Sequence, residues 1–400
     1  MITDKEATRL INANLPTINI EVVALMDSLG KVLAEDVISP VSSPPYTNSA
    51  MDGFAVKWDN IFDNIDCKLE IIGESQAGIP YKGNVNTGQA IRINTGAIVP
   101  EEVDTVVPIE DCSSDDKFVV IHSAKKLGQH VRYTGEEFKK RDVLLEKNTI
   151  IEPAQIGLLS SVGVKDISVY QSPTVAVVVT GTELVEFDTS AEAYQLRDSN
   201  TPMLKAALRY TGVENISSYR VGDSLENTID VLDEAQKSNQ IIIVTGGVSV
   251  GLHDYVKEAS KALGFTEIFW KVRQKPGKPF YFATNGNKLL FGLPGNPVSA
   301  YMGFIHYIDP IIRKLQKLPE QPHILEGRLV DGFQNKKDRT QFVRVKIEFD
   351  GETQNVIVSK KQGSHMLTSI AETDGYIRVD GKSKLDANKL VNVILFPGRV

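Results

Sequence analysis

The sequence predicts a multidomain α/β protein, with a mostly parallel sheet covered by helices and flanked by β-rich segments. Three observations predict it. At 400 residues the chain exceeds what one ordinary hydrophobic core serves. From Pro173 to about residue 318, short apolar runs alternate with helical stretches, the rhythm of a parallel sheet with helices on both faces. On either side of that region the apolar runs are short and separated by Gly, Asn and Asp, as in small β-domains.

Taken in order, Thr3 to Asn14 reads as a helix, Ile18 to Val23 as a strand and Lys31 to Ser39 as extended chain. The Pro/Ser-rich run SPVSSPPYTNSA, Ser39 to Ala50, reads as a hinge. DGFAV, LEII, AIRI, TVVPI and FVVIH then predict a small β-rich domain up to about Phe138. Pro153 opens a helix, where its missing N–H costs nothing, and Gly163 closes it. DISVY and VAVVVT are strands. SNTPMLKAALRYTG is a helix with Ser199 or Asn200 as its N-cap and Gly212 at its end. ISSYRVG and IIIVT are strands, and SLENTIDVLDEAQ and DYVKEASKALG are helices. EIFWKVR, FYFA and KLLFGL add strands, and PVSAYMGFIHYIDPIIRKL reads as one closing helix. From His323, the runs ILEGRLV, RTQFVRVKIEF, NVIVSK, YIRVDG and LVNVILF predict a C-terminal β-domain.

Composition narrows the function. An apolar fraction of 42% and a charged fraction of 24% fit a soluble globular protein. No apolar run reaches bilayer length, and MITDKEATRLINANL lacks the layout of a signal peptide. The two cysteines, Cys67 and Cys112, argue against a disulfide framework or thiolate metal site and fit a reducing cytoplasm. The six histidines show no metal-ligand spacing, which speaks against a zinc enzyme. A net charge of −7 disfavours a nucleic-acid partner, and nothing points to a membrane partner.

In open α/β sheets, ligands bind beyond the carboxyl ends of the strands. Thr182 and Glu183 follow VAVVVT, and Gly222 and Asp223 follow SSYRV. Gly246 and Gly247 follow IIIVT, with Ser249, Gly251 and Asp254 just beyond. Pro294, Gly295, Asn296 and Pro297 follow LLFGL. Lys275 and Lys278 sit in a Pro/Gly-bent segment between them, near Lys271 and Arg273. Glycine turns let backbone N–H groups approach phosphate oxygens, and lysines add point charges. Carboxylates beside phosphates call for a hard cation such as Mg²⁺, so Glu183, Asp223 and Asp254 form the candidate metal set. No nucleophile–base dyad stands out, which favours charge and metal clamping. Each feature alone has a plainer reading: lysines guard strand edges, and acids start helices. Their joint placement along one sheet edge favours a site. The spacing matches neither GxGxxG nor the Walker form.

TGGVSVGLHDY, KPGKPF and GLPGNPVSA together resemble the molybdopterin molybdenumtransferase family, which includes MoeA and the E domain of gephyrin. SPPYTNSAMDGFAV, RINTGAIVPEEVDTVVPIED, GQHVRYTGEEF, VVVTGTELVE, RDSNTPML and QGSHML are similar to further family segments in the same order. The resemblance implies that molybdate is inserted into adenylylated molybdopterin, with Mg²⁺-dependent cleavage of the adenylate and release of AMP. It implies a discontinuous linking domain (1–45 and 139–171), an inserted β-rich domain (46–138), an α/β molybdopterin-binding domain (172–318) and a C-terminal β-barrel (319–400). It also implies an elongated homodimer with shared clefts, and contact with a molybdopterin adenylyltransferase or with apo-molybdoenzymes.

Carried over by position, Asp52, Thr95 and Arg132 would be the inserted domain's share of the site. Glu183, Asp223 and Asp254 would be the acidic share of the α/β domain. Lys275 and Lys278 would bind molybdate or phosphate beside Pro294, Gly295 and Pro297. Arg344 and Ser364 would be the C-terminal share, and Gly246, Gly247, Ser249 and Gly251 the pterin-side turn. Glu137 stands where the family carries Asp, and GTEL replaces the commoner GDEL. Two alternatives stay open: a molybdopterin adenylyltransferase, which shares the TGGVSVG-type domain but lacks the extra β-rich segments, and a non-catalytic pterin-binding scaffold.

Overall fold

A computed structural model describes residues 1–63, 66–248, 255–320 and 324–399. The chain divides into two compact units, one of Met1–Ala34, Ile150–Glu152 and Ser168–Val400, the other of Glu35–Thr149 and Pro153–Ile167. Helix α1, Asp4–Asn12, opens the first; the Thr3 side chain caps it by accepting from the Glu6 N–H, and Ala7 and Ile11 bury one face. Helix α2, Pro153–Ser161, belongs to the second and starts at its proline as the sequence predicts.

The second unit holds a curled six-stranded sheet. Its spatial order is Thr105–Pro108, Gly53–Val56, Gln89–Ile93, Cys67–Ser75, Phe118–Ile121, Cys112–Ser114. Side chains alternate faces along a strand, so Phe54 and Val56 enter one apolar cluster and Ala55 the other. Gly53 is required by a close approach: a Cβ there would sit 2.0 Å from the Val107 carbonyl oxygen. That approach fixes the chain directly after Asp52.

The α/β sheet of the first unit runs Ile216–Val221, Val175–Thr180, Ile241–Thr245, Lys288–Leu293, Tyr281–Asn285, Thr266–Trp270. The first four strands are parallel, and the last two pair antiparallel. Alternate residues feed opposite cores. Val175, Val177, Ile241 and Ile243 pack against helix α3, Asn200–Tyr210, while Ala176, Val178, Ile242 and Val244 pack against helix α4, Leu225–Ser238, and helix α5, Val256–Ala262. Both faces are thereby covered, as the apolar runs require.

One sequence reading, Ser199 at the N-cap of α3, holds in position only, and a second needs correction. Ser199 precedes α3, but its side chain makes no cap hydrogen bond; Asp198 Oδ1 accepts the Thr201 N–H at 3.0 Å instead. The closing helix is three pieces: helix α6, Pro297–Gly303, a π-helical segment, Phe304–Ile308, and helix α7, Asp309–Leu315. Pro310 has no N–H for the His306 carbonyl and would crowd it. The chain widens by a residue, and the Asp309 N–H reaches the Phe304 carbonyl.

The C-terminal segment closes into a five-stranded barrel of Ile324–Leu329, Thr340–Phe349, Gln354–Val358, Gly375–Val379 and Leu390–Leu395. Closure arises because Thr340–Phe349 pairs with both Gln354–Val358 and Gly375–Val379. Val343, Val345, Val356, Ile377 and Val393 fill it. Gln274–Lys275 adds to this sheet beside Thr340–Gln341, which carries the lysine segment to the barrel wall.

Candidate functional site

The ends of two neighbouring parallel strands create the first wall of the site. Ile241–Thr245 stops at Gly246 and Gly247, with φ of +88° and +64°. These angles suit glycine, and a Cβ on Gly246 would lie 2.5 Å from Thr180 Oγ1. The Gly246 N–H donates to the Leu293 carbonyl at 3.0 Å, which joins this turn to the one after Lys288–Leu293. There the Gly295 carbonyl accepts from Asn200 Nδ2 at 2.9 Å, and Asn200 is buried at the start of α3.

The lysine segment supplies the second wall. The Val272 N–H donates to the Lys278 carbonyl at 3.0 Å and closes the loop, while Lys275 and Lys278 stay exposed. The barrel supplies the third wall through Gln362, Gly363, Ser364 and His365. These walls enclose a cavity of about 580 Å³. Of the residues read from the sequence, Gly246, Gly247, Lys275, Lys278, Pro294, Gly295 and Ser364 line it together. Gln274, Asn296, Ser299, Arg339 and Gln362 join them. Lys275, Lys278 and Arg339 give the cavity positive charge in an otherwise acidic chain.

Other predicted residues fall elsewhere. Pro297 is the first residue of α6 and does not line the cavity. Arg344 is fully buried behind the barrel turn, and its Nη2 donates to the Lys361 and Gly363 carbonyls at 3.3 and 3.4 Å. Burial pulls its guanidinium down to about 10, so it remains a cation at neutral pH. Gln362 clasps the same residue, accepting from the Arg344 N–H at 3.2 Å and donating to its carbonyl at 2.9 Å. Arg344 thus holds the turn that carries Ser364.

Glu183 and Asp223 lie at the carboxyl ends of adjacent strands, off the cavity lining. Asp223 Oδ2 accepts from Thr182 Oγ1 at 3.1 Å and the Thr182 N–H at 3.5 Å. The Glu183 carboxylate folds over Gly181, 2.8 Å from where a Cβ would stand. The two acids therefore bracket Thr182. Ser249, Gly251 and Asp254 lie outside the described residues. Among the described residues no three His, Cys, Asp or Glu side chains gather around a common metal position.

The second unit has its own cluster. Asp52 Oδ1 accepts from the Thr95 N–H at 2.6 Å and from Thr95 Oγ1 at 3.0 Å. These bonds hold the Asp52 carboxyl below the usual carboxylate range. Arg132 pairs in register with Asn48, four residues before Asp52. Asp52 and Thr95, 43 residues apart in the chain, are joined directly. Glu137, the departure from the family's Asp, accepts from Ser43 Oγ at 2.7 Å.

Comparison with known proteins identifies the family. Residues 2–163 match the MoeA N-terminal region (domain I and II), 176–314 a probable molybdopterin binding domain, and 326–396 the MoeA C-terminal region (domain IV). The chain is 33% identical over 401 residues to the molybdopterin molybdenumtransferase of Staphylococcus epidermidis, covering 98% of this chain and 95% of that protein. It is 33% identical over 361 residues to the Haemophilus influenzae enzyme of the same name, covering 89% of each. The chain belongs to the MoeA family of molybdopterin molybdenumtransferases. A molybdopterin biosynthesis MoeA protein from Pyrococcus horikoshii superposes with a TM-score of 0.85 at 27% identity, over 100% of both chains.

As a member of that family it is an enzyme of molybdenum cofactor biosynthesis. Its multidomain α/β architecture with a closed C-terminal barrel is the MoeA fold. Among the described residues no helix is long and apolar enough to cross a membrane. At this cavity Asn200, Gln274 and Gln362 hold backbone groups; reading the sequence offered Asn200 only as an N-cap and did not name Gln274 or Gln362. Each adjoins a motif that did stand out, in RDSN, QKPGK and QGSH.

Proposed function

We propose that this enzyme inserts molybdate into adenylylated molybdopterin and releases AMP, and that the 580 Å³ cavity takes the reacting anions. The meeting of two glycine turns with Lys275, Lys278 and Ser364 in one cavity carries the reading. A tetrahedral dianion and a pyrophosphate need positive charge and backbone N–H donors at close range. Lys275 and Lys278 supply the charge, and the turns at Gly246 and Gly295 admit close backbone approach. The Ser364 hydroxyl offers a donor on the barrel side.

Mg²⁺ fits this chemistry. It needs only one or two protein carboxylates, because it keeps water and takes phosphate oxygens. Glu183 and Asp223 are the described candidates at the strand ends, with Asp254 the third. When bound there, the ion would withdraw charge from the phosphoanhydride as AMP leaves. The functional form is a cytoplasmic homodimer, in which Asp52, Thr95 and Arg132 of one subunit complete the cavity of the other. Contact with a molybdopterin adenylyltransferase or an apo-molybdoenzyme would pass substrate in or product out.

Purified protein incubated with adenylylated molybdopterin and Mg²⁺ tests the reaction. AMP release that rises with added molybdate is expected. AMP release indifferent to molybdate, or pterin binding without release, would sink the proposal.

A further inference from the structure

Directly beneath the lysine loop lies a buried polar chain that substrate contacts do not require. Gln274 is 1% exposed, and its Nε2 donates to the Gly277 carbonyl at 3.0 Å. Its Oε1 accepts from the Tyr307 hydroxyl. Tyr307 is 2% exposed and stacks on Phe280, ring centroids 4.6 Å apart. Burial pushes the Tyr307 hydroxyl well above its ordinary range, so it stays protonated and donates.

Gly277 sits between Lys275 and Lys278, with φ of +79°, and a Cβ there would meet Gln274 Nε2 at 3.2 Å. The glycine is thus packed onto the Gln274 side chain. A planar trans peptide sets its N–H opposite its C=O. Drawing the Gly277 carbonyl onto Gln274 therefore turns the Lys278 N–H the other way. Tyr307 comes from the π-helical segment Phe304–Ile308, where widened turns often mark function. That segment turns both His306 and Tyr307 inward, His306 to the Tyr376 hydroxyl at 2.8 Å and Tyr307 to Gln274.

We propose that Tyr307 and Gln274 are positioning residues: the hydrogen-bond chain Tyr307–Gln274–Gly277 fixes the loop so that Lys275 and Lys278 meet an oxyanion in one preformed geometry. The inference rests on the reading that these lysines bind the reacting anion. A preformed loop binds more tightly because less ordering remains to be done on binding.

Steady-state AMP release, with molybdate varied over Tyr307→Phe, Gln274→Met, the double variant and Lys275→Ala, tests it. Tyr307→Phe leaves Gln274 Oε1 buried without its donor and should lower the melting temperature. The double variant removes the unsatisfied Oε1 but leaves the buried Gly277 carbonyl without its Gln274 donor, so it should recover the melting temperature only in part. Both should raise KM for molybdate about tenfold, the worth of one buried hydrogen bond, with kcat within about twofold. A merely structural pair would restore KM together with melting temperature in the double variant. The inference is overturned if KM stays at the wild-type value in Tyr307→Phe and the double variant while Lys275→Ala raises it. If Lys275→Ala also leaves KM unchanged, the anion-site reading falls first and takes this one with it.

Discussion

Lys275 and Lys278 are exposed at the cavity while the residues around them are buried. Removing one should therefore affect chemistry and not folding. Lys275→Ala is expected to lower kcat/KM by about 100-fold, as loss of one preorganised oxyanion donor does, and to leave thermal melting within a few degrees of wild type. A comparable loss of activity and stability would assign the side chain to the fold. Among single residues the sequence was informative where chemistry and motif coincide. Lysines beside a PG bend and glycines after an apolar strand point to a site together, since each alone has a plainer reading. Asn200 could be read only as an N-cap, because the partner of its side chain, the Gly295 carbonyl, lies 95 residues on. Arg344 shows the converse. Its type suits an anion, yet it is fully buried against the Lys361 and Gly363 carbonyls. Residue type alone does not separate a charge that meets substrate from one that braces the wall.

Among the elements, the stretch that reads as one closing helix from Pro297 is instead α6, the π-helical turn and α7. Its inward residues join the site to the barrel: Tyr307 reaches Gln274, and His306 reaches Tyr376. An apolar run of that length reads as one helix because periodicity does not register a single added residue. The signal was Pro310, whose missing N–H forces a local change of hydrogen bonding. His306 gives this element a measurable signature. Burial, the largest influence, lowers its imidazole to about 4, with Asp4 opposing and Arg378 assisting. In the unfolded chain a histidine takes up its proton near pH ~6.5. Between those values the unfolded state binds a proton that the folded state refuses. Stability is therefore full above about pH 6.5 and falls as pH drops towards 4, by up to about 1.4 kcal/mol per pH unit. Urea unfolding of wild type and His306→Gln from about pH 7.5 to about pH 4.5 checks this. The variant's curve should be flatter across that window, and parallel curves would refute the assignment.

For the molecule as a whole, strands and helices were largely legible because each is a local pattern. The C-terminal barrel was legible only through the family resemblance, since its closure depends on Thr340–Phe349 pairing with Gly375–Val379 across intervening chain, which no local pattern carries. The bond by which Thr95 Oγ1 donates to Asp52 Oδ1 was not legible, because the two residues lie 43 positions apart. If two subunits share each site, mixing Asp52→Ala with Lys275→Ala protein under conditions that exchange subunits should recover activity. About a quarter of the wild-type rate is expected, because half the dimers are mixed and each carries one intact site. No recovery after verified exchange would place both residues in a site made by one chain.

The functional reading turns on whether the cavity between the glycine turns, the lysine loop and the barrel turn receives the oxyanion. Anomalous diffraction from crystals soaked in tungstate, a heavy tetrahedral stand-in for molybdate, decides it. A peak is expected within hydrogen-bonding reach of Lys275, Lys278 or Ser364, and it should disappear in Lys275→Ala crystals. A peak confined to another part of the molecule, or one of equal height in the variant, would show that the oxyanion binds elsewhere.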